Sequence, residues 1–218
     1  VMKSNWKDYL WSSLLITALL VIAGAACRLA HPWSHKVFGP YHMLTELVLA
    51  LWVYGLASAL LLRLLLRWRP MPAGEHSQDS PAFAYWKLLT VLYRLGQGAI
   101  GWSLPFFLRP MRDALFGARI GSDVASGGTI DDPYHVSVGS GSVLGNACLV
   151  TANYVNDGKL ICQPVTIGEH VTIGANAIVM PGVMIGNGAS IMSGAVVMPG
   201  TVVPAGERWR GNPARKWM

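Results

Sequence analysis

The sequence has few charged side chains and few cysteines. Only 13% of its 218 residues are charged and 52% are apolar, whereas about a quarter of the residues in a soluble domain are charged. A chain with this many apolar residues can bury enough apolar surface to fold, which argues against intrinsic disorder. Its three cysteines form no C-x-x-C pair, which predicts a reducing compartment without a disulfide framework. It also has no P-loop and no Gly-x-Gly-x-x-Gly opening a helix, which argues against a P-loop or dinucleotide-binding protein.

Charge and glycine are unevenly distributed along the chain. Residues 1–118 hold 11 basic and 5 acidic side chains and seven of the nine tryptophans. Residues 119–218 hold six side chains of each sign and 16 of the 24 glycines. Two regions with different physical properties therefore share one chain.

The first region contains two apolar segments of membrane-spanning length. Segments 10–26 and 47–62 carry no charge, and the second becomes a full span when it begins at 43. We therefore predict two transmembrane helices within 1–69; a cleaved signal peptide and a pair of buried core helices are the alternatives. Basic residues lie mainly outside the two segments, which predicts an integral plasma (inner) membrane protein with both termini cytoplasmic. These outer residues are Lys3, Lys7, Arg63, Arg67 and Arg69, against Arg28 and Lys36 between the segments.

The sequence of residues 70–118 predicts a loop followed by interfacial or re-entrant amphipathic helices. The stretch 70–81 is rich in proline and polar residues, which is typical of a loop. Aromatic and basic side chains alternate over 82–112, and the longest uncharged run there is too short and too rich in glycine for a span. Beside two spans, this mixture indicates membrane lipids rather than nucleic acid as the partner.

The second region, 119–218, repeats with a period of six. An aliphatic residue occupies every sixth position, a small or β-branched residue follows four places later, and glycine often follows the aliphatic one. This pattern predicts a β-solenoid, in which short strands stack and the aliphatic residues fill a narrow core. The spacing from Val150 to Ile167 is not a multiple of six, so an inserted loop at 153–164 interrupts the array. The regular positions are Ile167, Ile173, Val179, Ile185, Ile191, Val197 and Val203.

These hexads, the single inserted loop and the ending Arg-Trp-Arg-Gly-Asn-Pro-Ala (208–214) resemble the hexapeptide-repeat acyltransferases. Within that family the chain looks most like the membrane-associated acyltransferase-like modules of nonribosomal-peptide-synthetase-type proteins, including poly-lysine synthetase. The resemblance implies a left-handed parallel β-helix, a homotrimer, and acetyl-CoA or another acyl-CoA as co-substrate in the groove between neighbouring β-helices.

The resemblance also implies a catalytic histidine on or beside the inserted loop, but the best-matching position is Asn153. An amide cannot accept a proton at neutral pH. We expect His135 to replace it as the base, with Asp131 or Asp132 as the orienting carboxylate. His170 is the second candidate, and we expect its side chain to point outward from a coil. A solvated or interface histidine is the alternative for both.

Two further groups of residues are candidates for ligand binding. On the inserted loop, Tyr154, Asn156 and Asp157 either bind the acceptor or form a turn, as Asp-Gly commonly does. The resemblance places the pantetheine of CoA along the later coils and its phosphates near basic residues. The alternative is that these basic residues form a C-terminal tail that faces the membrane or solvent. No metal site is predicted in the chain, because the two histidines of the repeat region cannot supply a three-histidine zinc site. The cofactor candidates are Ala177, Ser193, Ala195, Arg210, Asn212, Arg215 and Lys216.

Two functions follow from these features. The first is a membrane-bound acyl-CoA-dependent O- or N-acyltransferase that acts at the cytoplasmic face on a lipid-linked or glycan-type acceptor. The second is a catalytically silent β-helix scaffold, an accessory subunit of a membrane complex, because the usual histidine is replaced by Asn153.

Overall fold

The computed structural model describes residues 6–217, so Lys3 lies outside the described residues. The chain divides into two compact units. A helical unit contains the residues up to 71 together with 84–103, and a β unit contains 72–83 and the chain from 104 onward.

The helical unit begins with a helical hairpin. Helix α1 (Trp6–Phe38) is followed by a 3-10 turn (Gly39–Tyr41) and by α2 (His42–Trp68). Gly39 has a φ of +53° at this reversal, a conformation that glycine adopts without strain. The two helices run side by side, since the Cys27 thiol donates a hydrogen bond to the Glu46 carbonyl at 3.2 Å. The connection is therefore shorter than the sequence pattern predicted, because α1 continues through Pro32.

A third long helix completes the helical unit. Helix α3 (Pro81–Gly101) is one continuous helix in the region 82–112, for which interfacial or re-entrant helices are predicted. The Ser58 hydroxyl of α2 donates to the Leu92 carbonyl at 2.7 Å, and Gly55 lies directly against the Ile100 side chain. The absence of a side chain at Gly55 thus allows α2 and α3 to approach closely.

The helical stretch Trp6–Trp68 is one candidate membrane span by length and composition. Its most apolar 18-residue window has a mean hydropathy of 2.1, and only 11% of that window is buried. Core helices of soluble proteins and signal sequences also meet this criterion, although a core helix is mostly buried. Among the described residues, this stretch is therefore the one candidate for the predicted membrane-spanning region.

The β unit is a parallel β-helix preceded by a strand and a short helix. The additional elements are β1 (Gly74–Ser77), a 3-10 turn (Phe106–Leu108) and α4 (Arg109–Leu115). The first two coils contain β2 (Arg119–Ile120), β3 (Ala125–Ser126), β4 (Thr129–Asp131), β5 (Val136–Val138), β6 (Val143–Leu144) and β7 (Leu149–Thr151). A hairpin of β8 (Asn153–Asn156) and β9 (Lys159–Cys162) follows. The later coils contain β10 (Val165–Ile167), β11 (Thr172–Ile173), β12 (Ile178–Val179), β13 (Met184–Ile185), β14 (Ser190–Ile191), β15 (Val196–Val197), β16 (Val202–Val203), β17 (Arg208–Arg210) and β18 (Arg215–Lys216).

Three parallel sheets form the faces of this β-helix. The strand order is β16-β13-β10-β5-β2 in the first sheet, β17-β14-β11-β6-β3 in the second and β15-β12-β7-β4 in the third. Each coil contributes one strand to each face, so residues 18 apart pair directly, as Ile167 does with Ile185. The predicted solenoid is confirmed, and its seven regular aliphatic side chains are all at most 3% exposed.

The glycine that follows the aliphatic residue allows neighbouring coils to stack closely. A Cβ built on Gly186 would lie 2.5 Å from the backbone nitrogen of Ala205 in the next coil. No side chain fits at that distance without moving the backbone. Glycine at this position therefore allows the coils to stack at the spacing of a β-sheet.

Both ends of the β-helix core are closed. At the first end, Arg109 of α4 donates to the Gly127 carbonyl at 3.4 Å, and Arg112 pairs with the fully buried Asp113. Both arginines lie in the basic and aromatic segment 82–112, and both bind protein groups around this capping helix. At the other end, Trp209 stands six residues after Val203 and packs on the core. The strand β18 then turns back antiparallel to β17.

The predicted inserted loop is a structured hairpin. Strands β8 and β9 pair antiparallel around a two-residue turn, where Asp157 and Gly158 have φ values of +46° and +71°. Positive φ at both central residues is the geometry that favours Asp-Gly in tight hairpins. Strand β1 pairs antiparallel with β9, so part of the predicted loop 70–81 is the third strand of this small sheet.

Candidate functional site

The candidate site lies where the hairpin leaves the β-helix. Strand β4 pairs with β7, and Asp131 is opposite Thr151. Asp132 follows Asp131 directly, and Asn153 lies two residues after Thr151, so the two side chains meet at one edge of the prism. The Asn153 side-chain amide donates to the Asp132 carboxylate at 2.7 Å. The structure thus brings together two of the three predicted catalytic residues.

Asp132 is the centre of this polar cluster. Its side chain is fully buried, and its second carboxylate oxygen accepts a hydrogen bond from the Tyr134 hydroxyl at 3.1 Å. Asp132 also has a φ of +51°, which aspartate tolerates better than most residues. The sequence analysis did not select Tyr134, and its place two residues after Asp132 was the only available signal.

His135 lies beside this cluster but is not oriented by the Asp132 carboxylate. Its backbone N–H donates to the Asp132 carbonyl at 2.9 Å, and its ring contacts that of Tyr134 at 4.9 Å between centroids, with the ring planes tilted by 58°. The Nε2 atom is buried and has no hydrogen-bond partner among the described residues. The expected Asp132–His135 side-chain pairing is therefore wrong, since Asp132 binds Asn153 and Tyr134 instead.

The surroundings of His135 favour its neutral form. Burial lowers the pKa of the imidazole below its ordinary value, and the positive charge of Arg119 lowers it further. A neutral ring keeps a lone pair that can accept a proton. His135 thus has the protonation state of a base at neutral pH, but its Nε2 atom faces the protein interior.

His170 is at a different edge of the prism. It follows β10, whereas Asp132 and Asn153 follow strands of the third sheet. His170 is exposed and has a φ of +52° at the turn. The expectation that it points outward is confirmed, and it is separate from the Asp132–Asn153 cluster.

The predicted acceptor-binding residues are on the hairpin. Tyr154 is half-buried opposite Ile161, while Asn156 and Asp157 are exposed at the tip. The Asn156 side-chain amide lies 3.4 Å from the Asp157 carboxylate. Strand β1 occupies the β9 edge of the sheet, which leaves β8 as the outer strand. The free edge of the hairpin is therefore β8.

The predicted cofactor residues follow the second sheet. Ala177 and Ala195 are fully buried, and the backbone N–H and C=O of each are hydrogen bonded within the coils. Their side chains fill the core and cannot touch a ligand. Ser193 and Asn212 are exposed near the same edge.

The basic residues at the C-terminal end have neighbours of their own. The Arg210 guanidinium lies 4.6 Å from the centroid of the Trp217 ring, and the Lys216 ammonium lies 2.6 Å from the Glu207 carboxylate. Arg215 is exposed, and its guanidinium contacts the Ala214 carbonyl at 3.4 Å. The three cations are therefore accessible, but two are already paired with protein groups.

The two cysteines of the β unit are unreactive in this fold. Burial raises the pKa of Cys148 to about 11. Burial, with the nearby charge of Asp132, raises the pKa of Cys162 to about 12. Since the thiolate is the reactive form, neither is a nucleophile at neutral pH. All three cysteines are free.

Comparison with known proteins identifies the repeat. Residues 164–199 match the family model described as bacterial transferase hexapeptide (six repeats). No curated protein matches the chain.

Solved structures share the fold at low sequence identity. The hexapeptide-repeat acetyltransferase VCA0836 from Vibrio cholerae is 18% identical, with 66% of this chain and 94% of that chain covered and a TM-score of 0.51. A galactoside acetyltransferase in complex with coenzyme A is 18% identical over 72% and 90% of the two chains, with a TM-score of 0.51. The VCA0836 complex with acetyl coenzyme A is 23% identical, and the match covers 47% of this chain and 60% of that one at a TM-score of 0.44. Segment 164–199 is therefore a hexapeptide repeat of the bacterial transferase type, and the chain has the fold of hexapeptide-repeat acetyltransferases.

Proposed function

We propose that the protein is a membrane-bound acyl-CoA-dependent O- or N-acyltransferase, acting at the cytoplasmic face on a lipid-linked or glycan-type acceptor. The observation that carries the proposal is the Asp132–Asn153 pair beside the projecting hairpin of a hexapeptide-repeat β-helix. Neighbours in fold were crystallised with acetyl-CoA or CoA, which supports an acyl-CoA as the co-substrate.

The chemistry assigns different tasks to His135 and Asn153. An acceptor hydroxyl or amine attacks the thioester carbonyl, and its proton passes to the neutral imidazole of His135. Collapse of the tetrahedral intermediate breaks the C–S bond, and the proton then goes to the leaving CoA sulfur. Because Nε2 is buried, acceptor binding must shift the segment Pro133–His135 to expose it.

Asn153 is suited to stabilise the oxyanion. Its amide has two N–H donors, and one is directed to Asp132. The second N–H is available for the oxygen on which negative charge develops, which is an effective form of transition-state stabilisation. Asp132 then acts as a positioning residue that fixes the rotamer of Asn153.

The proposed active form is a homotrimer in which CoA binds between two copies of the chain. The Asp132–Asn153 pair and the exposed cations near Asn212 lie at different edges of the prism. In a homotrimer, the phosphates of CoA can bind one edge while its thioester reaches the reactive edge of a neighbouring copy. The proposed CoA contacts are Ser193, Arg210, Asn212, Arg215 and Lys216, and the proposed acceptor contacts are Tyr154, Asn156 and Asp157.

The hairpin of α1 and α2 supports membrane anchoring. Each helix exposes large apolar side chains along much of its length, and contiguous apolar surface of this kind is rare on soluble monomers. Two spans with cytoplasmic termini place the β unit in the cytoplasm beside lipid-linked acceptors. The exposed aromatic residues of these two helices are Trp6, Tyr9, Trp11, Trp33, Phe38 and Trp68.

The experiment is a turnover assay with the full chain in detergent. Release of free CoA thiol from acetyl-CoA is followed with lipid-linked and glycan acceptors. His135→Ala should reduce turnover by about 100-fold, the lower range for loss of a general base, while His170→Ala serves as the matched control. Equal turnover in wild type and His135→Ala removes His135 as the base.

A silent scaffold is the second candidate, and one observation favours it. Asn153 stands at the position expected for histidine, and its amide is already bonded to Asp132. For this function, mild-detergent purification should yield a second membrane protein and no acyl transfer. Robust transfer by a homotrimer purified alone refutes it.

A further inference from the structure

Three histidines and one glutamate gather at the turn between α1 and α2. His31 and His35 are one helical turn apart on α1, and His42 and Glu46 are one turn apart on α2. Side chains four residues apart in a helix share a face. The reversal at Gly39–Tyr41 brings the two pairs against each other, so the imidazole rings of His35 and His42 are 4.9 Å apart between centroids.

The geometry points to a binding site for a divalent transition-metal ion, formed by His31, His42 and Glu46. One ligand atom from each residue lies within 4.8 Å of the other two. Ligand atoms of a tetrahedral Zn²⁺ site are about 3.3 Å apart when the bonds are about 2.0–2.1 Å. Small side-chain rotations therefore suffice to bring all three atoms onto one ion.

The hydrogen bonds of His42 prepare its ring for this role. Its Nδ1 lies 2.8 Å from the Gly39 carbonyl oxygen. A carbonyl only accepts, so the neutral ring carries its proton on Nδ1 and leaves a lone pair on Nε2. Metal-binding histidines in proteins commonly use this arrangement, because a backbone carbonyl fixes both the tautomer and the ring orientation.

The glutamate supplies the negative charge and is itself held in place. Glu46 Oε1 lies 2.9 Å from His31 Nδ1 and accepts a hydrogen bond from the Ser34 hydroxyl at 2.5 Å. Glu46 is the only acidic residue in 27–46, where Arg28 and Lys36 are basic. An ion between His31 and Glu46 replaces the proton that these two groups share in its absence.

The donor set indicates the class of metal. Imidazole nitrogens with one carboxylate suit Zn²⁺ and neighbouring first-row ions, whereas Mg²⁺ and Ca²⁺ prefer oxygen ligands. His35 is a nearby further imidazole, with its ring centroid 4.9 Å from that of His42 and 6.0 Å from that of His31. The bound ion then acts as a clip that holds α1 to α2. This proposal is independent of acyl transfer.

The test is Zn²⁺ binding by the full chain in detergent after treatment with a chelator. Calorimetric titration should give one Zn²⁺ per chain, and Co²⁺ should give the visible absorption of a tetrahedral site. His42→Ala and the isosteric Glu46→Gln should each weaken binding by about tenfold or more. His76→Ala is the matched control, since His76 is a histidine of β1 whose Nε2 lies 3.0 Å from the Pro72 carbonyl oxygen.

The outcomes separate a metal site from a hydrogen-bonded cluster. Stoichiometric binding lost in Glu46→Gln and kept in His76→Ala supports the site, provided that the variants retain the helical circular dichroism of the wild type. Absence of stoichiometric Zn²⁺ binding overturns it. Equal binding by wild type and the double variant His42→Ala/Glu46→Gln also overturns it.

Discussion

The amide of Asn153 donates to the carboxylate of Asp132 at 2.7 Å and ties the hairpin to the preceding coil. A buried carboxylate requires such partners, because an unsatisfied buried polar group is costly. The same bond fixes the side chain that stands where a catalytic histidine is expected. The Asn153–Asp132 hydrogen bond therefore both satisfies a buried carboxylate and orients the side chain to which we assign a role in acyl transfer.

Replacing Asn153 by histidine should place a base at this edge in exchange for the proposed oxyanion donor. The new imidazole would stand beside the Asp132 carboxylate, which favours its protonated form and makes it a stronger base. We expect the turnover of Asn153→His to exceed that of Asn153→Gln by about tenfold or more, because only the former gains a general base. The measurement is CoA thiol release by Asn153→His compared with Asn153→Gln, which adds length without a base; equal rates in the two variants contradict the assignment of this edge as the reactive one.

Acidification should destabilise the fold through His135. Burial holds its folded-state pKa below about 6.5, the ordinary value. The unfolded chain therefore takes up this proton first, and stability present above pH 6.5 is lost as the pH falls toward the folded-state pKa. His135→Ala should lose less stability between about pH 7.5 and 5 than the wild type. Thermal unfolding followed across this range tests the prediction, with the exposed His170→Ala as the control; parallel curves for wild type and His135→Ala refute it.

The aliphatic stack should account for much of the stability of the β-helix. Ile185 is 3% exposed and its neighbour Met184 is 54% exposed on the same strand. Ile185→Ala should reduce the free energy of unfolding by about 2–5 kcal/mol, because it leaves a cavity between stacked coils. Met184→Ala should change it by less than about 0.5 kcal/mol. Denaturant unfolding of both variants provides the measurement, and similar losses would show that strand β13 does not have the described orientation.

The capping helix α4 should depend on its buried ion pair. Arg112 lies 2.7 Å from the fully buried Asp113, and burial raises the pKa of that carboxyl in spite of the arginine. Arg112→Met should destabilise the β unit by up to about 3 kcal/mol, since it removes the partner of a buried charge. The double variant Arg112→Met/Asp113→Asn should recover part of the loss, because it removes the charge as well. Denaturant unfolding distinguishes the two, and no recovery in the double variant argues against charge pairing as the cause.

Regular spacing made the β-helix predictable, whereas contacts distant in sequence did not. The six-residue step from Ile167 to Val203 identified the core, and one further step gives Trp209, which packs on its end. The Asp157–Gly158 turn was likewise evident from local chemistry. Strand β1 was not, because only pairing with β9, more than 80 residues later, makes Gly74–Ser77 extended.

The sequence selected residues of the candidate site, but it did not specify their hydrogen bonds. Asn153 was selected from the family resemblance, His135 and Asp132 from their place in the coil before the inserted loop, and the pairing of β4 with β7 brings Asp132 and Asn153 together. The partner of Asp132 depends on side-chain directions that the sequence does not specify. The histidines around Gly39 were not selected either, since their proximity requires α1 to continue through Pro32.

Binding of acetyl-CoA to the full chain in detergent tests the proposed function most directly. Calorimetry should show saturable binding with one site per chain, and Arg210→Ala/Arg215→Ala should weaken it while Lys36→Ala, distant in sequence from the β unit, does not. Absence of binding by the wild type at millimolar acetyl-CoA would contradict the acyltransferase proposal.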